Sequence, residues 1–410
     1  MKKILLLSAL VAGVMSANAQ TDFKVSKMST LPVSEISNYD ATFCRSAYGF
    51  NDKLYLVDRG AKQLRVFNLL TKEEVGQVEI GENNAMGHDE AGNAIIGNWG
   101  WAGSNLVGTK KTFTLISADL TKKVTTNETE YVTGRSDLLG KAKGNVFGAE
   151  GAILLAAGQN ENFAENGFVQ FTFTGGDEPT VEYSNVYEPT EEEEKQSIVG
   201  NSSLVFNYYK DIDGTDHYLY VNRSEPIVDF TVDEGQVSSK ILYKPEDRVT
   251  AKGVNNGAEI FILGNRKFMA YPHLTLKDGV TYRDGFSIVE INADGTLTQV
   301  YRQESEHEPI TPGWKSAQIN WLCVDVLNEN QAKLYQYFAS HDGFAAEYGI
   351  AINGADTPTT GINNVNNAAG VVSTTYYTAD GVANKAAVKG LNIVVTKYAD
   401  GSQKVVKLMK

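Results

Sequence analysis

Five histidines, two cysteines and a scatter of Asn, Asp and Arg at the ends of apolar runs are the residues of this 410-residue chain that could do chemistry. A metal centre needs several His, Cys or carboxylate groups brought together. His88, beside Asp89, heads the histidines; His273, His307 and His341 follow, and His217 falls in a turn. Their spacing gives no His-x-x-x-His or comparable ligand signature, which favours solvated or structural roles. "DIDGTD" carries Asp211, Asp213 and Asp216 at the spacing that opens a calcium loop, but it lacks an acidic twelfth position and fits a polar hairpin turn. No nucleophile elbow, phosphate loop or dinucleotide fingerprint occurs where a strand and helix could support it.

A second set of polar residues is more regular. Six apolar runs end abruptly: "LYLVDRG" on Asp58 and Arg59, "AIIGNWG" on Asn98 and Trp99, "ILLAAGQN" on Gln159 and Asn160, "LYVNRS" on Asn222 and Arg223, "IFILGNR" on Asn265 and Arg266, and "YFASHDG" on His341 and Asp342. Such ends can anchor hydroxyls or carboxylates, or they can cap loops and join neighbouring sheets. Aromatic residues accompany them, with Trp101 near the second run, Phe268, Tyr271, His273 and Tyr282 after the fifth, and Trp314 before the sixth. Flat rings with a polar tip suit the C–H faces of sugars or the side chains of a peptide, and the same rings can pin their own loops.

The elements that position these residues recur. One unit repeats six times at a spacing of about 43 to 60 residues, the range of a four-stranded propeller blade. Each unit opens with an alternating strand, a Gly/Asn/Asp turn and an apolar strand, from "CRSAYGFNDKLYLVD" to "NWLCVDVLNENQAKLYQYFAS". A third strand follows in every unit and a fourth in five of them. The sixth unit has none after Asn353, while "FKVSKMSTLPVS" stands alone before unit one. Pairing these two removes an open sheet edge. The expected fold is therefore all-β, a six-bladed β-propeller over residues 20–353 closed by its N-terminal strand, with no long helix. On that fold the six strand ends share one face around a central channel. The segment "GNRKFMAYPHLTLKDGVTYRD" of unit five reads as a long loop, a lid or a recognition edge.

Residues 1–19 combine Lys2 and Lys3, a 12-residue apolar run and "ANA" before Gln20, the pattern of a secretory signal. No later run approaches the roughly 20 apolar residues of a spanning helix, so an exported chain without a transmembrane segment is expected. No Cys follows the apolar run, which speaks against a lipoprotein anchor. The chain carries a net charge of −13, and loss of the two leader lysines takes it to −15. Such a field excludes nucleic acid and anionic lipid as partners. Two cysteines in an exported chain invite a disulfide. Cys44 and Cys323 read first as two buried thiols on neighbouring innermost strands, set too far apart for the roughly 5.5 Å Cα spacing of a bridge.

Residues 354–370 are small and polar, as in a flexible linker, and residues 371–410 give three short strand signals separated by Asp-Gly and Lys-Gly turns. This tail resembles the C-terminal sorting-type (Por, type IX-like) modules of exported Bacteroidetes proteins. The match rests on Tyr376, Tyr377, Asp380, Gly381, Gly390, Ile393, Val394, Asp400, Gly401 and the closing Lys404 to Lys407, with a departure at Asn392, where Tyr is common. The resemblance implies periplasmic, outer-membrane or secreted placement and association with the cell envelope. The repeat region resembles uncharacterised exported propellers of the same bacteria through phrases such as "LYLVDRGAKQLRVFNLLTKEEVG", and that resemblance carries over no catalytic residue. Asn201, Asn255 and Asn320, near innermost-strand starts, resemble the channel carboxamides of calcium-dependent lactonase-type propellers, which implies calcium as a cofactor.

The expected function is capture of a glycan or peptide on the loop face. The alternatives are a metal-dependent hydrolase, lyase or lactonase-type enzyme with His88, Asn255 and Asn320 in the channel, and a structural cell-surface component.

Overall fold

The computed structural model describes residues 22–39, 46–81, 83, 85–97, 110–129, 139–158, 167–187, 205–221, 227–233, 236–243, 257–277, 280–304, 320–339, 343–358, 371–378, 381–386, 388–398 and 403–409. Among them every regular element is a strand except a single 3-10 turn at Val33–Glu35, and no helix is long and apolar enough to cross a membrane. The strands form seven four-stranded sheets, and the chain divides into two compact units, Met1–Pro358 and Thr359–Lys410.

Six sheets belong to the first unit. Sheet one comprises Ala47–Phe50, Lys53–Asp58, Gln63–Asn68 and Glu73–Glu79; sheet two, Ala85–His88, Ala94–Gly97, Phe113–Ile116 and Lys123–Thr125; sheet three, Lys143–Gly144, Ala152–Gly158, Gly167–Phe173 and Val181–Tyr187. Sheet four comprises Val205–Lys210, Asp216–Val221, Ile227–Asp233 and Gln236–Tyr243, and sheet five Glu259–Leu263, Arg266–Lys277, Val280–Ile291 and Leu297–Gln303. In each of these five the strands lie side by side in chain order. Sheet six takes Asn320–Asn328, Gln331–Phe338 and Phe344–Ala351, and its outer edge is Lys24–Pro32 from the N-terminal end of the chain. That strand runs antiparallel to Phe344–Ala351, with Lys24 opposite Ala351 and Pro32 opposite Phe344. Antiparallel four-stranded sheets in this order are consistent with a propeller.

Burial explains the order. In sheet one the first three strands are buried almost throughout, whereas Glu73–Glu79 carries three glutamates and a glutamine and is nowhere fully buried. Asn51 and Asp52 both hold positive φ, 49° and 62°, which matches the twist of the tight hairpin they close. Between sheets five and six, Phe261, Phe268, Phe286, Leu322, Leu334 and Tyr348 form one apolar cluster. Each fully buried side chain of this size contributes about 1.5–3 kcal/mol.

The first strands meet in succession. Met86 N–H donates to Ser46 Oγ (3.2 Å), Ala142 N–H to His88 O (2.7 Å) and Tyr208 N–H to Lys141 O (2.9 Å). Asn207 Nδ2 donates to Ala258 O (2.8 Å) and Leu322 N–H to Gly257 O (3.2 Å). Asn51 N–H then donates to Asp325 Oδ2 (3.1 Å), which returns from sheet six to sheet one. Glycine permits these approaches. A Cβ on Gly87 would lie 2.2 Å from Gly140 O, and one on Gly140 would lie 1.9 Å from Phe206 O.

The fifth unit corrects its sequence reading. The repeat pattern takes "AEIFILGN" as a second strand followed by a long loop. Instead Glu259–Leu263 is the first strand, Gly264 and Asn265 make the turn, and Arg266–Lys277 pairs with Val280–Ile291 as one long hairpin. Gly264, at φ 56°, supplies the left-handed residue that this turn requires.

The second unit is one sheet, ordered Ala383–Asn384, Val371–Thr378, Leu391–Tyr398, Gln403–Met409. Asn392, the position of departure from the sorting-type pattern, is buried. Its side chain accepts from Val388 N–H (2.9 Å) and donates to Val388 O (2.7 Å), bracing the turn before its strand.

Candidate functional site

The polar strand ends are, where described, committed to the scaffold. Asp58 is buried in the turn after its strand, where Oδ1 accepts from Ala61 N–H (2.9 Å) and Oδ2 faces Arg65 (3.3 Å). Arg59 sits half-buried in the same turn. Asn265 lies in the turn between first and second strands and Arg266 opens the second strand, not the second-to-third end that carries Asp58, which corrects their placement on the loop face. Arg266 grips Glu290 through Nε and Nη2 (both 2.7 Å) and Asp22 through Nη1 (2.8 Å). Tyr271 is not on a loop edge; it is buried on the long hairpin with its ring 4.8 Å from that of Tyr243. His273 is buried on the same strand, with Nδ1 3.0 Å from Ser287 Oγ, and burial followed by the Arg302 charge lowers its pKa to about 4. Asn98, Trp99, Trp101, Gln159, Asn160, Asn222, Arg223, Trp314, His341 and Asp342 lie outside the described residues, as do Cys44, Asn201, Asn255 and His307.

The acidic turn does not converge on a cation. Asp211 meets Lys267 and His217, Asp213 accepts from Thr215, and Asp216 pairs with Lys143 and Tyr208. Of the proposed channel trio, Asn255 lies outside the described residues and Asn320 is committed elsewhere. Asn320 is buried, donating to Gly285 O (3.0 Å) and accepting from Gln336 Nε2 (2.9 Å), so its amide is spent between sheets five and six.

A different group meets at the centre of the first strands. Five of the sheets and the segment that leads into sheet three line a cavity of about 10 Å³ there, through Tyr48, His88, Gly140, Asn207, Glu259 and Cys323. That volume is close to the space of one water. One donor atom each from His88, Glu259 and Cys323 falls within 4.8 Å of the others. His88 Nε2 lies 3.8 Å from Cys323 Sγ, which in turn approaches Gly49 O at 3.4 Å. The Tyr48 ring stacks on the His88 imidazole (4.5 Å, 12°) and is fixed by its own hydroxyl donating to Gly92 O (2.9 Å). Glu259 Oε2 accepts from Val324 N–H, while Oε1 is buried and makes no hydrogen bond.

Electrostatics set the resting state of this group. Burial, reinforced by the Lys141 charge, lowers the His88 pKa to about 3, so the ring is neutral near pH 7. Burial and then Glu259 push the Cys323 thiol well up, so it is no ready nucleophile. Burial also raises the Glu259 carboxyl, opposed by Lys141. Burial disfavours the Lys141 charge, but Glu259, Cys323, Glu90 and Asp325 outweigh it and raise its pKa. An imidazole, a thiol and one carboxylate do not fit calcium, which takes six to eight oxygens. The sequence reading missed Glu259 because it set "AEIFIL" on a second strand; placed on a first strand, an acid at the head of an apolar run is the signal.

No family model matches this chain, and no curated protein does. Among solved structures, a protein of unknown function from Dyadobacter fermentans is 11% identical, with 80% of this chain and 99% of that one covered and a TM-score of 0.45. A protein of unknown function from Bacteroides thetaiotaomicron is 14% identical, with 80% and 76% covered and a TM-score of 0.43. A mutant of Trypanosoma rangeli sialidase displaying trans-sialidase activity is 8% identical, with 80% and 58% covered and a TM-score of 0.46.

Proposed function

We propose that the first unit is a six-bladed β-propeller closed by its N-terminal strand, on an exported chain, and that it captures a glycan or peptide at the end of the channel bearing the second-to-third turns. The observation that carries the binding reading is the size of the central cavity. Between the described first strands there is room for one water-sized occupant of about 10 Å³, which leaves an organic ligand to the ends of the channel. The blade reading is supported by the hydrogen bonds that pass from each first strand to the next and from sheet six back to sheet one. Trp99, Trp101 and Trp314 would supply stacking faces, and Arg223 charge-assisted hydrogen bonds. A net charge of −13 favours neutral or cationic ligands. The C-terminal unit would serve association with the cell envelope.

The test is a glycan array and a peptide array probed with the protein lacking residues 1–19, followed by titration calorimetry of the strongest ligand. Trp99→Ala, Trp101→Ala and Arg223→Ala are each expected to weaken it about tenfold or more, as hot-spot truncations do. Silence on both arrays, or wild-type affinity in all three variants, overturns the proposal.

A further inference from the structure

The central group is built from three first strands, and its members share a feature the loop-face reading does not use. His88, Glu259 and Cys323 are 8%, 3% and 5% exposed, so each has been taken out of water with a donor atom directed at the others. The unbonded Oε1 of Glu259 is the second sign. A buried carboxylate oxygen without a donor is costly, and a ligand that completes it recovers that cost.

We propose that His88 Nε2, Cys323 Sγ and a Glu259 carboxylate oxygen form a binding site for a zinc-class divalent transition metal, at the centre of the ring of first strands. Imidazole, thiolate and carboxylate are the donors that zinc takes, and the single water-sized space between them is the place the ion would fill. Tetrahedral zinc sets such donors about 3.3–3.6 Å apart. The 3.8 Å between His88 and Cys323 is nearly there, and the 4.8 Å limit on the group asks for a contraction of about 1.5 Å at most, within side-chain reach. Binding forms an S–metal bond and releases the thiol proton to solvent, while the neutral imidazole and the carboxylate bind through existing lone pairs. The Tyr48 ring against His88 and the Val324 N–H on Glu259 hold two ligands in orientation before the ion arrives.

The experiment uses the full exported chain, stripped with chelator and titrated with zinc against a chromophoric competitor, and with cobalt(II) followed by absorption. Expected are one equivalent of tight zinc binding and a cobalt spectrum with a near-ultraviolet thiolate charge-transfer band and intense tetrahedral visible bands. Cys323→Ser should abolish the charge-transfer band, and His88→Asn and Glu259→Gln should each weaken zinc about tenfold or more. Circular dichroism of each variant checks the fold, and Cys44→Ser, which removes the other thiol, should keep the band, so its cobalt spectrum decides the question even if a variant at the site does not fold. His217→Asn serves as a control for adventitious binding at the exposed acidic turn and should bind as wild type. Absence of stoichiometric binding, a cobalt spectrum without the thiolate band, or loss of binding in His217→Asn but not in Cys323→Ser overturns the site.

Discussion

His273 shows how a residue chosen for its chemistry can serve the scaffold. It stands on the long hairpin of sheet five, its Nδ1 on Ser287, with Arg302, Glu304 and Asp284 as its charged neighbours. In the unfolded chain it takes a proton near pH 6.5, and in the fold only near pH 4. Between those values the unfolded chain holds more protons, so stability is fully present above pH 6.5 and is lost as the pH falls towards 4. The slope from this one residue is at most about 1.4 kcal/mol per pH unit. Urea unfolding across that window should therefore be less steep in pH for His273→Asn than for wild type. Equal slopes would show that His273 is protonated in both states alike. Asp58 and Arg266 teach the same point: each ends an apolar run, and each spends its charge on a turn or on a neighbouring segment.

At the scale of elements, the alternation of apolar residues and the Gly/Asn/Asp turns made the strands readable, because both signals are local. The N-terminal strand was also readable, since the sixth repeat lacked a partner and residues 23–34 lacked a sheet. Unit five was not, because Asn-Asn-Gly before Glu259 and Gly-Asn after Leu263 are equally good turn signals and local chemistry does not choose between them. The central cluster was hidden for a different reason. His88, Glu259 and Cys323 belong to three separate repeats, and only the meeting of first strands brings them together. Those meetings depend on glycine in a way no single strand reveals. Gly140 faces the backbone of the next sheet, and a methyl group there would lie 1.9 Å from Phe206 O, an atom that cannot swing aside. Gly140→Ala must displace sheet three from sheet four and is expected to destabilise by about 1–3 kcal/mol, as overpacking does. Gly60→Ala, whose added methyl meets only Asp58 Oδ1 at 3.4 Å, should stay within about 0.5 kcal/mol. Equal melting temperatures for the two variants would mean that the first strands are not packed this tightly.

For the first unit as a whole, everything depends on one strand from the far end of the sequence. Lys24–Pro32 covers the edge of Phe344–Ala351, a strand buried at every position. Leu31 and Phe23 are buried with it, Phe23 lies 5.0 Å from the ring of Phe268, and Asp22 is held by Arg266. Two buried apolar side chains at about 1.5–3 kcal/mol each, with ladder hydrogen bonds at about 1 kcal/mol each, amount to much of the roughly 5–15 kcal/mol that holds a typical domain folded. Removal of the strand also exposes an apolar edge ready to pair with another chain. A chain beginning at Val33 is therefore expected to melt far below one beginning at Asp22 and to associate at concentrations where the longer chain is monomeric. If the loss is that of a strand and not of a general solubilising segment, a synthetic peptide of residues 22–34 should restore both properties when added in excess. A peptide of the same composition in scrambled order should not, because the register from Lys24 opposite Ala351 to Pro32 opposite Phe344 is sequence-specific. A truncated chain that stays monomeric with an unchanged melting temperature would show that the edge is closed by something else, and the proposed ring would lose its keystone.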